Sequence, residues 1–253
     1  MAEADQTYLQ ADQPEGVPPL ELTGERTLPD VPEENYWYRR HVAVYEWIAE
    51  RCAGLRVVDL ACGEGYGSDL LAGHAAEVVG VDANPEAHDH ARARYQRANL
   101  SFQRGLVEDF DQPADAVVFL QTIEHIHEPE RLLERIAQIA PVAYISTPNR
   151  LTLAPPGAEK SENPWHLREY DAGQYKDLLA PHFGSVELLG LFHARKLRAH
   201  EIAIRAGWDR VHPALHITKP FYGRFIPAIS ARDFRLQADG LDRALDFVAI
   251  CRA

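Results

Sequence analysis

Short apolar runs alternate with helical patterns through the first two thirds of this 253-residue chain. The runs are LRVVDL (55–60), AEVVGV (76–81), LSFQ (100–103), DAVVFL (115–120) and VAYIST (142–147). Between them, Asn84 before Pro85 has the chemistry of a helix start. The stretch HEPERLLERIAQIA (127–140) places its leucines and isoleucines on one helical face. This alternation predicts a parallel sheet with helices on both faces.

The rest of the chain adds strands, an arm and two insertions. Two further strands are predicted, SVELLGLFHA (185–194) and LDFVAICR (245–252), which makes seven in a mostly parallel, Rossmann-like α/β sheet. Residues 1–33 are polar and proline-rich, and they predict an extended N-terminal arm. Residues 34–253 have a length that suits a single domain. Within it, the alternation of apolar runs and helical patterns breaks down at about 150–170 and 195–242, which predicts insertions there.

The composition indicates the cellular location of the protein and argues against certain classes of binding partner. No apolar run approaches the roughly 20 residues that span a bilayer, and the N-terminus lacks the features of a secretion signal. The three cysteines have no paired spacing, which argues against a disulfide framework or a zinc ribbon. We therefore expect a cytoplasmic protein with no membrane partner. The formal net charge of −12, without a basic cluster, argues against nucleic acid as a partner.

The stretch VVDLACGEGYGS (57–68) combines an acid with closely spaced glycines. A strand, a glycine loop and a helix in succession let backbone N–H groups approach a ligand. The dinucleotide fingerprint G-x-G-x-x-G is not met, because the third glycine arrives one residue early. The carboxylate of Asp59 suits a cationic or hydroxyl-rich ligand better than a diphosphate. Asp82, at the end of the second run, is placed to accept hydrogen bonds from both hydroxyls of a ribose.

Two more motifs follow the third and fourth predicted strands. GLVEDF (105–110) places Val107 and Glu108 where they would flank an adenine, and FLQTIEHI (119–126) ends the fourth strand. The carboxyl ends of adjacent parallel strands meet at one crevice. We therefore expect all four loops to form a single site.

In this order and at this spacing, DLACGEGYG, VVGVDANP, GLVEDF and FLQTIEHI resemble the motifs of class I S-adenosylmethionine-dependent methyltransferases. The resemblance covers about residues 55–150 and implies a seven-stranded methyltransferase sheet with a small cap. It implies that the glycine loop lies under the methionine part of the cofactor and that Asp59 orders this loop and faces the amino group. Asp82 would bind the ribose, with Ala83 and Asn84 beside the adenine. The cofactor-binding residues expected on this basis are Asp59, Ala61, Gly63, Gly65, Gly67, Asp82, Ala83, Val107, Glu108, Gln121 and Arg40.

Segments outside this core resemble a group of actinobacterial sugar O-methyltransferases. They are TGERTLPDVPEENYWYRRH (23–41), STPNR (146–150), NPWHLRE (163–169) and GLFHARKLR (190–198). The known activity of that group is on the reducing end of methylmannose polysaccharide precursors. The resemblance thus implies methyl transfer to a hydroxyl of a mannoside-like saccharide.

Methyl transfer to a hydroxyl requires an acceptor oxygen in line behind the donor carbon, and a base or metal ion to activate it. Glu124 and His125 follow the fourth strand, and His166 lies in the long loop after the fifth. As catalytic residues, these three could hold Mg²⁺ or Mn²⁺. Some methyltransferases with an E-x-x-E-H pattern hold a divalent cation here, and Gln121 replaces the first acid as a fourth ligand. Two alternatives stay open: a metal-free base, His125 or His166, and a purely structural Glu124–His125 pair.

Aromatic side chains outside the core have two interpretations. In the segment YWYRR (36–40), Trp37 either packs in the core while the arginines face solvent, or the segment forms a lid over the cofactor. In the second case an arginine reaches the cofactor carboxylate or the acceptor. Four more rings either line an acceptor cleft or form the core of a cap: Trp165, Trp208, Tyr222 and Phe225.

Other functions fit the same cofactor. The acceptor could instead be a phenolic or quinone-like small molecule, or the 3′ end of an RNA, which the acidic balance disfavours. A cofactor-binding scaffold without turnover is the non-enzyme alternative. Dimerisation, common among such enzymes, is a further expectation.

Overall fold

The computed structural model describes residues 7–8, 10, 15–22, 26–155 and 157–253. The expected arm therefore lies partly outside the described residues, at positions 1–6, 9, 11–14 and 23–25, and the first insertion does so at position 156. In the described part of the arm, β1 (Thr7–Tyr8) pairs antiparallel with β2 (Leu20–Glu21). Leu20, Leu28 and Val31 form a small buried apolar cluster there.

A single sheet organises the rest of the described chain. Its strands are β3 (Arg56–Leu60), β4 (Glu77–Asp82), β5 (Leu100–Arg104), β6 (Ala116–Leu120), β7 (Val142–Pro148), β8 (Ser185–His193), β9 (Phe234–Gln237) and β10 (Asp246–Arg252). The order across the sheet is β5-β4-β3-β6-β7-β10-β8-β9. Neighbours from β5 to β7 are parallel, whereas β10 is antiparallel to β7 and β8, and β9 is antiparallel to β8. The sheet is thus mostly parallel, as expected.

Helices connect the strands and cover the sheet. They are α1 (Asn35–Arg51), α2 (Tyr66–Ala72), α3 (Pro85–Arg94), α4 (Pro129–Ile139), α5 (Arg150–Leu153), α6 (Ala172–Leu179), α7 (Arg195–Arg205), α8 (Trp208–Ala214) and α9 (Thr218–Phe225). The side chain of Asn84 accepts hydrogen bonds from the N–H groups of Glu86 and Ala87, and Pro85 follows it, so α3 starts where the sequence predicts.

Two apolar clusters lie on opposite faces of the sheet. Along β6, Val117 and Phe119 join the cluster that contains the apolar stripe of α4. Ala116 and Val118 join the other cluster, with residues of α1 and α2. Successive side chains of a strand point to opposite faces, so one buried run supplies both cores.

The prediction of seven strands is wrong by one, because β9 adds an eighth at the edge of the sheet. It lies in residues 195–242, which were expected to be irregular and which also contain α7, α8 and α9. The missed helices bury little: α7 buries only Leu197, and α8 and α9 have no buried residue. A helix with so little buried surface has only a weak apolar stripe in its sequence.

The fold determines where a ligand can bind. The chain runs outward from β3 in both directions, through β4 on one side and β6 on the other. In such sheets, ligands bind beyond the carboxyl ends of the strands where the order reverses. Within the described ranges, we find no helix with the length and apolarity needed to cross a bilayer.

Candidate active site

The loop after β3 forms one wall of a cavity of ≈ 300 Å³, here called the first cavity. Ala61 (φ 57°) and Gly63 (φ 55°) take left-handed conformations that turn the chain before α2 begins. A Cβ built on Gly63 would meet no described atom within 4 Å. Glycine at this position therefore leaves space that a ligand can fill. The expected cofactor residues that line the first cavity are Ala61, Gly63, Asp82, Ala83 and Gln121.

Asp82 joins the glycine loop to the end of β4. Its Oδ2 accepts a hydrogen bond from the N–H of Gly63 (2.8 Å), and its Oδ1 accepts one from the N–H of Asn84 (2.8 Å). Each carboxylate oxygen can accept a second hydrogen bond. Asp82 can therefore hold the loop and still bind two hydroxyl groups of a ligand.

Asp59, expected to face the ligand, lies behind the glycine loop instead. It is fully buried and does not line the first cavity. Its carboxylate accepts hydrogen bonds from Ser68 Oγ (2.7 Å) and Tyr45 Oη (3.2 Å). Burial raises the pKa of Asp59 to about 7, although both hydrogen bonds oppose the shift. These two hydrogen bonds join Asp59 on β3 to α1 and α2.

Gly65 and Gly67 also lie away from the first cavity. Gly65 precedes α2 with a φ of 98°. A Cβ on Gly67 would lie 2.1 Å from Cζ of Tyr45. Gly67 therefore allows α2 to approach α1, rather than making room for a ligand.

Val107 and Glu108 do not flank the first cavity as expected. After β5, the N–H of Gly105 donates to the carbonyl of Asp82 (3.0 Å), and a short 3-10 helix (Val107–Asp109) follows. Val107 packs in the core, and Glu108 is exposed. This turn directs both side chains away from the cavity.

Arg40, expected at the cofactor, is held by β10 instead. Its Nε donates to Asp246 Oδ2 (2.6 Å), its Nη2 donates to Asp246 Oδ1, and Nη2 also reaches the carbonyl of Leu245 (2.9 Å). The side chains of Arg40 and Asp246 are only 6% and 2% exposed. Arg40 therefore forms a buried two-pronged ion pair that fixes α1 to the sheet.

A second cavity of ≈ 320 Å³ adjoins the first. Five residues line both cavities, namely Arg26, Thr27, His41, Gln121 and His125. Trp37, Arg40, Glu124, Asn163 and His166 line only the second of the two. The two spaces thus meet at a shared wall.

Glu124, His125 and His166 come together at the second cavity. One ligand atom from each residue lies within 4.8 Å of the others. Glu124 and His125 belong to a short 3-10 helix (Ile123–His125) after β6, and His166 comes from the loop before Tyr170. The N–H of Leu167 donates to the carbonyl of Glu124 (2.8 Å), which fixes the loop against that helix.

Neighbouring groups orient the members of this cluster. Nδ1 of His125 lies 2.9 Å from the carbonyl of Trp165, and Nδ1 of His166 lies 2.7 Å from Glu169 Oε1. Both acceptors require a proton on Nδ1, which leaves the lone pair of each ring on Nε2. In the described structure, Nδ2 of Asn163 lies 3.0 Å from Nε2 of His166 and donates to it.

The acids of this region differ in proton affinity. Burial raises the pKa of Glu124 to about 8, against an opposing hydrogen bond from Thr147 Oγ1 (3.0 Å). Burial also acts to raise the pKa of Glu169, but hydrogen bonds from Ser161 and His166 outweigh it and leave that pKa below its ordinary value. The carboxyl of Glu124 therefore holds its proton more tightly than an ordinary glutamic acid, and that of Glu169 holds its proton less tightly.

Gln121 lies beside this cluster and lines both cavities. Its Nε2 donates to Ser146 Oγ (3.0 Å). Its Oε1 makes no hydrogen bond within the described residues, so it can accept from a ligand or join a metal ion.

Three residues at the shared wall, Arg26, Thr27 and His41, were not predicted. His41 Nδ1 lies 2.9 Å from Tyr66 Oη. Burial lowers the pKa of His41 to about 4, which keeps this imidazole neutral. The segment TGERTLPDVPEENYWYRRH contains all three, so the narrower resemblance was the available signal.

The aromatic residues divide between the two interpretations. Trp37 lines the second cavity, whereas Tyr36 Oη lies 2.8 Å from Nε2 of His193. Trp208, Tyr222 and Phe225 do not line it. They pack with His200, His212 and Phe221 in the α7–α9 cap.

Known structures identify the class of fold. A methyltransferase of Thermotoga maritima superposes with a TM-score of 0.58 at 16% identity, over 87% of this chain and 94% of that one. A Mesorhizobium loti methyltransferase gives 0.53 at 19% identity, over 83% and 98%. The sheet and the helices around it are thus a Rossmann-like methyltransferase fold.

Sequence comparisons define the family. Residues 36–201 match the model of a family described as "Methyltransferase domain". A protein of Mycobacterium tuberculosis named "Probable S-adenosylmethionine-dependent methyltransferase" is 37% identical over 247 residues, 91% of this chain and 89% of that protein. A Mycolicibacterium smegmatis relative with the same description is 42% identical, over 91% and 94%. The chain belongs to the class I S-adenosylmethionine-dependent methyltransferases.

Proposed function

We propose that this enzyme transfers the methyl group of S-adenosylmethionine to a hydroxyl of a mannoside-like saccharide, with the help of a divalent metal ion. The observation that carries the proposal is the Glu124–His125–His166 cluster, whose ligand atoms lie within 4.8 Å of one another. Because His125 lines both cavities, the cluster lies where donor and acceptor would meet.

The first cavity fits the cofactor by its hydrogen-bonding groups. Ala61 and Gly63 form the turn under the methionine part, and Asp82 offers its free lone pairs to the ribose hydroxyls. Ala83 and Asn84 border the adenine end. Arg26, which makes no ion pair with any described residue, takes the role first expected of Arg40 and pairs with the cofactor carboxylate. The bound cofactor supplies an electrophilic methyl group on its sulfonium.

The second cavity suits a hydroxyl-rich acceptor. Glu34, Asn163 and Gln121 line it with hydrogen-bonding groups, and Trp37 adds an aromatic surface. The C–H face of a sugar ring packs on such a ring, while the hydroxyls at its edge require polar partners.

The donor set of the cluster fits a divalent cation. One carboxylate and two imidazole nitrogens favour Mn²⁺ or another transition ion, and Mg²⁺ would add water ligands. Glu169 and the carbonyl of Trp165 hold the imidazoles with the proton on Nδ1 and the lone pair on Nε2, which is the usual outer support of histidine ligands. At His166, a bound ion would replace the hydrogen bond that Nε2 accepts from Asn163. Gln121 offers a neutral oxygen as a fourth ligand. A bound ion supplies Lewis acidity that makes a hydroxyl a better nucleophile.

The test is methyl transfer from labelled S-adenosylmethionine to oligomannosides and other glycans, with added Mg²⁺ or Mn²⁺ and again with EDTA. We expect label on a mannoside, and a rate that falls about tenfold or more in EDTA and returns with excess metal. Label that persists unchanged in EDTA would keep the saccharide and refute the metal. A complete absence of label on glycans, with cofactor binding intact, would refute the saccharide acceptor.

A phenolic or quinone-like acceptor is the second candidate. Trp37, Pro148 and Leu153 give the second cavity an apolar side. A Xylella fastidiosa relative named "Ubiquinone biosynthesis O-methyltransferase" is 30% identical over 153 residues, 54% of this chain and 60% of that protein. Catechols belong in the same assay panel, and label on them alone would favour this candidate.

Asp82→Asn should weaken cofactor binding about tenfold or more, because a charge-assisted hydrogen bond to the ribose is lost. Titration calorimetry with S-adenosylhomocysteine measures the effect. Asp89→Asn, an exposed change on the adjoining helix, is the matched control and should bind like wild type. Equal affinities for both variants would remove Asp82 from the cofactor site.

A further inference from the structure

A third cavity, of ≈ 910 Å³, is larger than either cavity of the active site. The loop that carries His166 into the second cavity contributes its next residues, Leu167 to Tyr170, to the third. Lys160 from the start of the same loop and Asp177 from α6 also line it. Neither the cofactor nor the methyl acceptor site uses this space.

Two buried polar atoms of residues that line the third cavity lack a well-formed hydrogen bond to any described residue. Tyr170 is 4% exposed, and its Oη has the side chain of Arg168 nearby but no hydrogen bond of good geometry within the described residues. Nε of Arg150 is likewise buried and unpaired there, although Nη2 of the same guanidinium donates to Asp171 Oδ2 (2.9 Å). Buried polar atoms normally have partners. A ligand that enters the cavity can supply them.

The charges around the third cavity nearly balance. Its cations are Arg150, Lys160 and Arg168, and its acids are Glu130, Glu159, Glu169 and Asp177. A phosphate would meet three attracting and four repelling side chains, and a polyamine would meet four attracting and three repelling ones. A neutral ligand whose hydroxyls both donate and accept hydrogen bonds can use either kind of side chain. Leu167 and Leu178 add apolar surface for C–H groups.

We propose that the third cavity is a distal saccharide subsite, which binds sugar units of the acceptor beyond the unit that is methylated. This inference rests on the proposed saccharide acceptor. Two contacts link the subsite to the active site: Lys160 Nζ donates to the carbonyl of His166 (2.7 Å), and Glu169 accepts from its Nδ1. A saccharide bound here therefore contacts the loop that positions His166. An acceptor long enough to reach the subsite should bind more tightly than a single sugar unit.

The test compares two tyrosine variants. Tyr170→Phe removes a buried hydroxyl from a residue that lines the third cavity, whereas Tyr175→Phe removes a buried hydroxyl from a residue that does not line it. Calorimetry with S-adenosylhomocysteine present measures the binding of methyl mannoside and of mannotetraose to each variant. We expect wild type to prefer mannotetraose. Tyr170→Phe should weaken its binding about three- to tenfold and leave methyl mannoside unchanged, and Tyr175→Phe should match wild type for both.

A second variant and a second readout separate the possible failures. Asp177→Asn, an exposed change on the same wall, should reproduce the loss for mannotetraose. Three results would each overturn the subsite. Wild type could bind both ligands equally, wild type could bind neither, or the two tyrosine variants could have equal effects. In the transfer assay, Tyr170→Phe should raise KM for mannotetraose and leave kcat unchanged. Binding that depends on Tyr170 without methyl transfer would refute the proposed function and keep the subsite.

Discussion

Glu124→Gln should lower kcat/KM for methyl transfer by roughly 10²- to 10⁴-fold, the range over which a positioned acid, base or metal ligand acts. Glutamine keeps the shape of the side chain and still accepts the hydrogen bond of Thr147. It has no charge with which to bind a cation or take a proton. Glu124 does not line the first cavity, so the affinity for S-adenosylhomocysteine should remain within about twofold. Steady-state kinetics and calorimetry measure the two quantities.

The control for this variant is Glu128→Gln, the same chemical change at an exposed position four residues further on. It should retain wild-type activity. Glu124→Gln loses a buried acid that is costly to ionise, so it should be at least as stable as wild type. A urea unfolding curve that matches wild type excludes unfolding as the cause of inactivity. Its residual rate should no longer respond to EDTA. Wild-type activity in Glu124→Gln would exclude the carboxylate from the reaction.

The strands that hold the site were predictable because they are short apolar runs buried in a parallel sheet. The first run was expected at 55–60, and β3 spans Arg56–Leu60. The eighth strand is different. FRLQ (234–237) is four residues long, lies at an edge and contains arginine and glutamine. So short a stretch has too little period-two signal to be distinguished from a loop.

The position of Asp59 could have been predicted from the pleat of its strand. Residues two apart in a strand share a face, and Val57 packs in the cluster that contains α1 and α2. Asp59 therefore points under these helices, where Tyr45 and Ser68 meet it. Proximity to the glycine loop in sequence gave the wrong expectation.

Residues that reach the site from distant segments could not be derived from local patterns. Arg26 precedes α1, and His41 lies in the middle of that helix, where its spacing matches an apolar stripe. Their convergence at the shared wall depends on how the arm and α1 pack across the sheet. By contrast, Asp82 and Gly63 lie at the ends of adjacent strands, so topology alone brings them together.

Asp246→Ala should destabilise the protein by about 3–5 kcal/mol, because it leaves the buried guanidinium of Arg40 without its partner. Urea unfolding, followed by circular dichroism, measures the loss. The control is Asp115→Ala, which breaks the Arg56–Asp115 ion pair, whose side chains are 55% and 40% exposed. Water solvates both partners of that pair, so its loss should have little effect. Similar stabilities for the two variants would show that burial of the Arg40 pair has no energetic consequence.

A variant without either charge separates burial of the charges from their pairing. Arginine cannot lose its proton in a protein, so Asp246→Ala strands a charge that no pH change removes. Replacing both residues with leucine should recover most of the stability, because no charge is then buried. In that case the ion pair fixes the position of α1 beside the second cavity and adds no net stability.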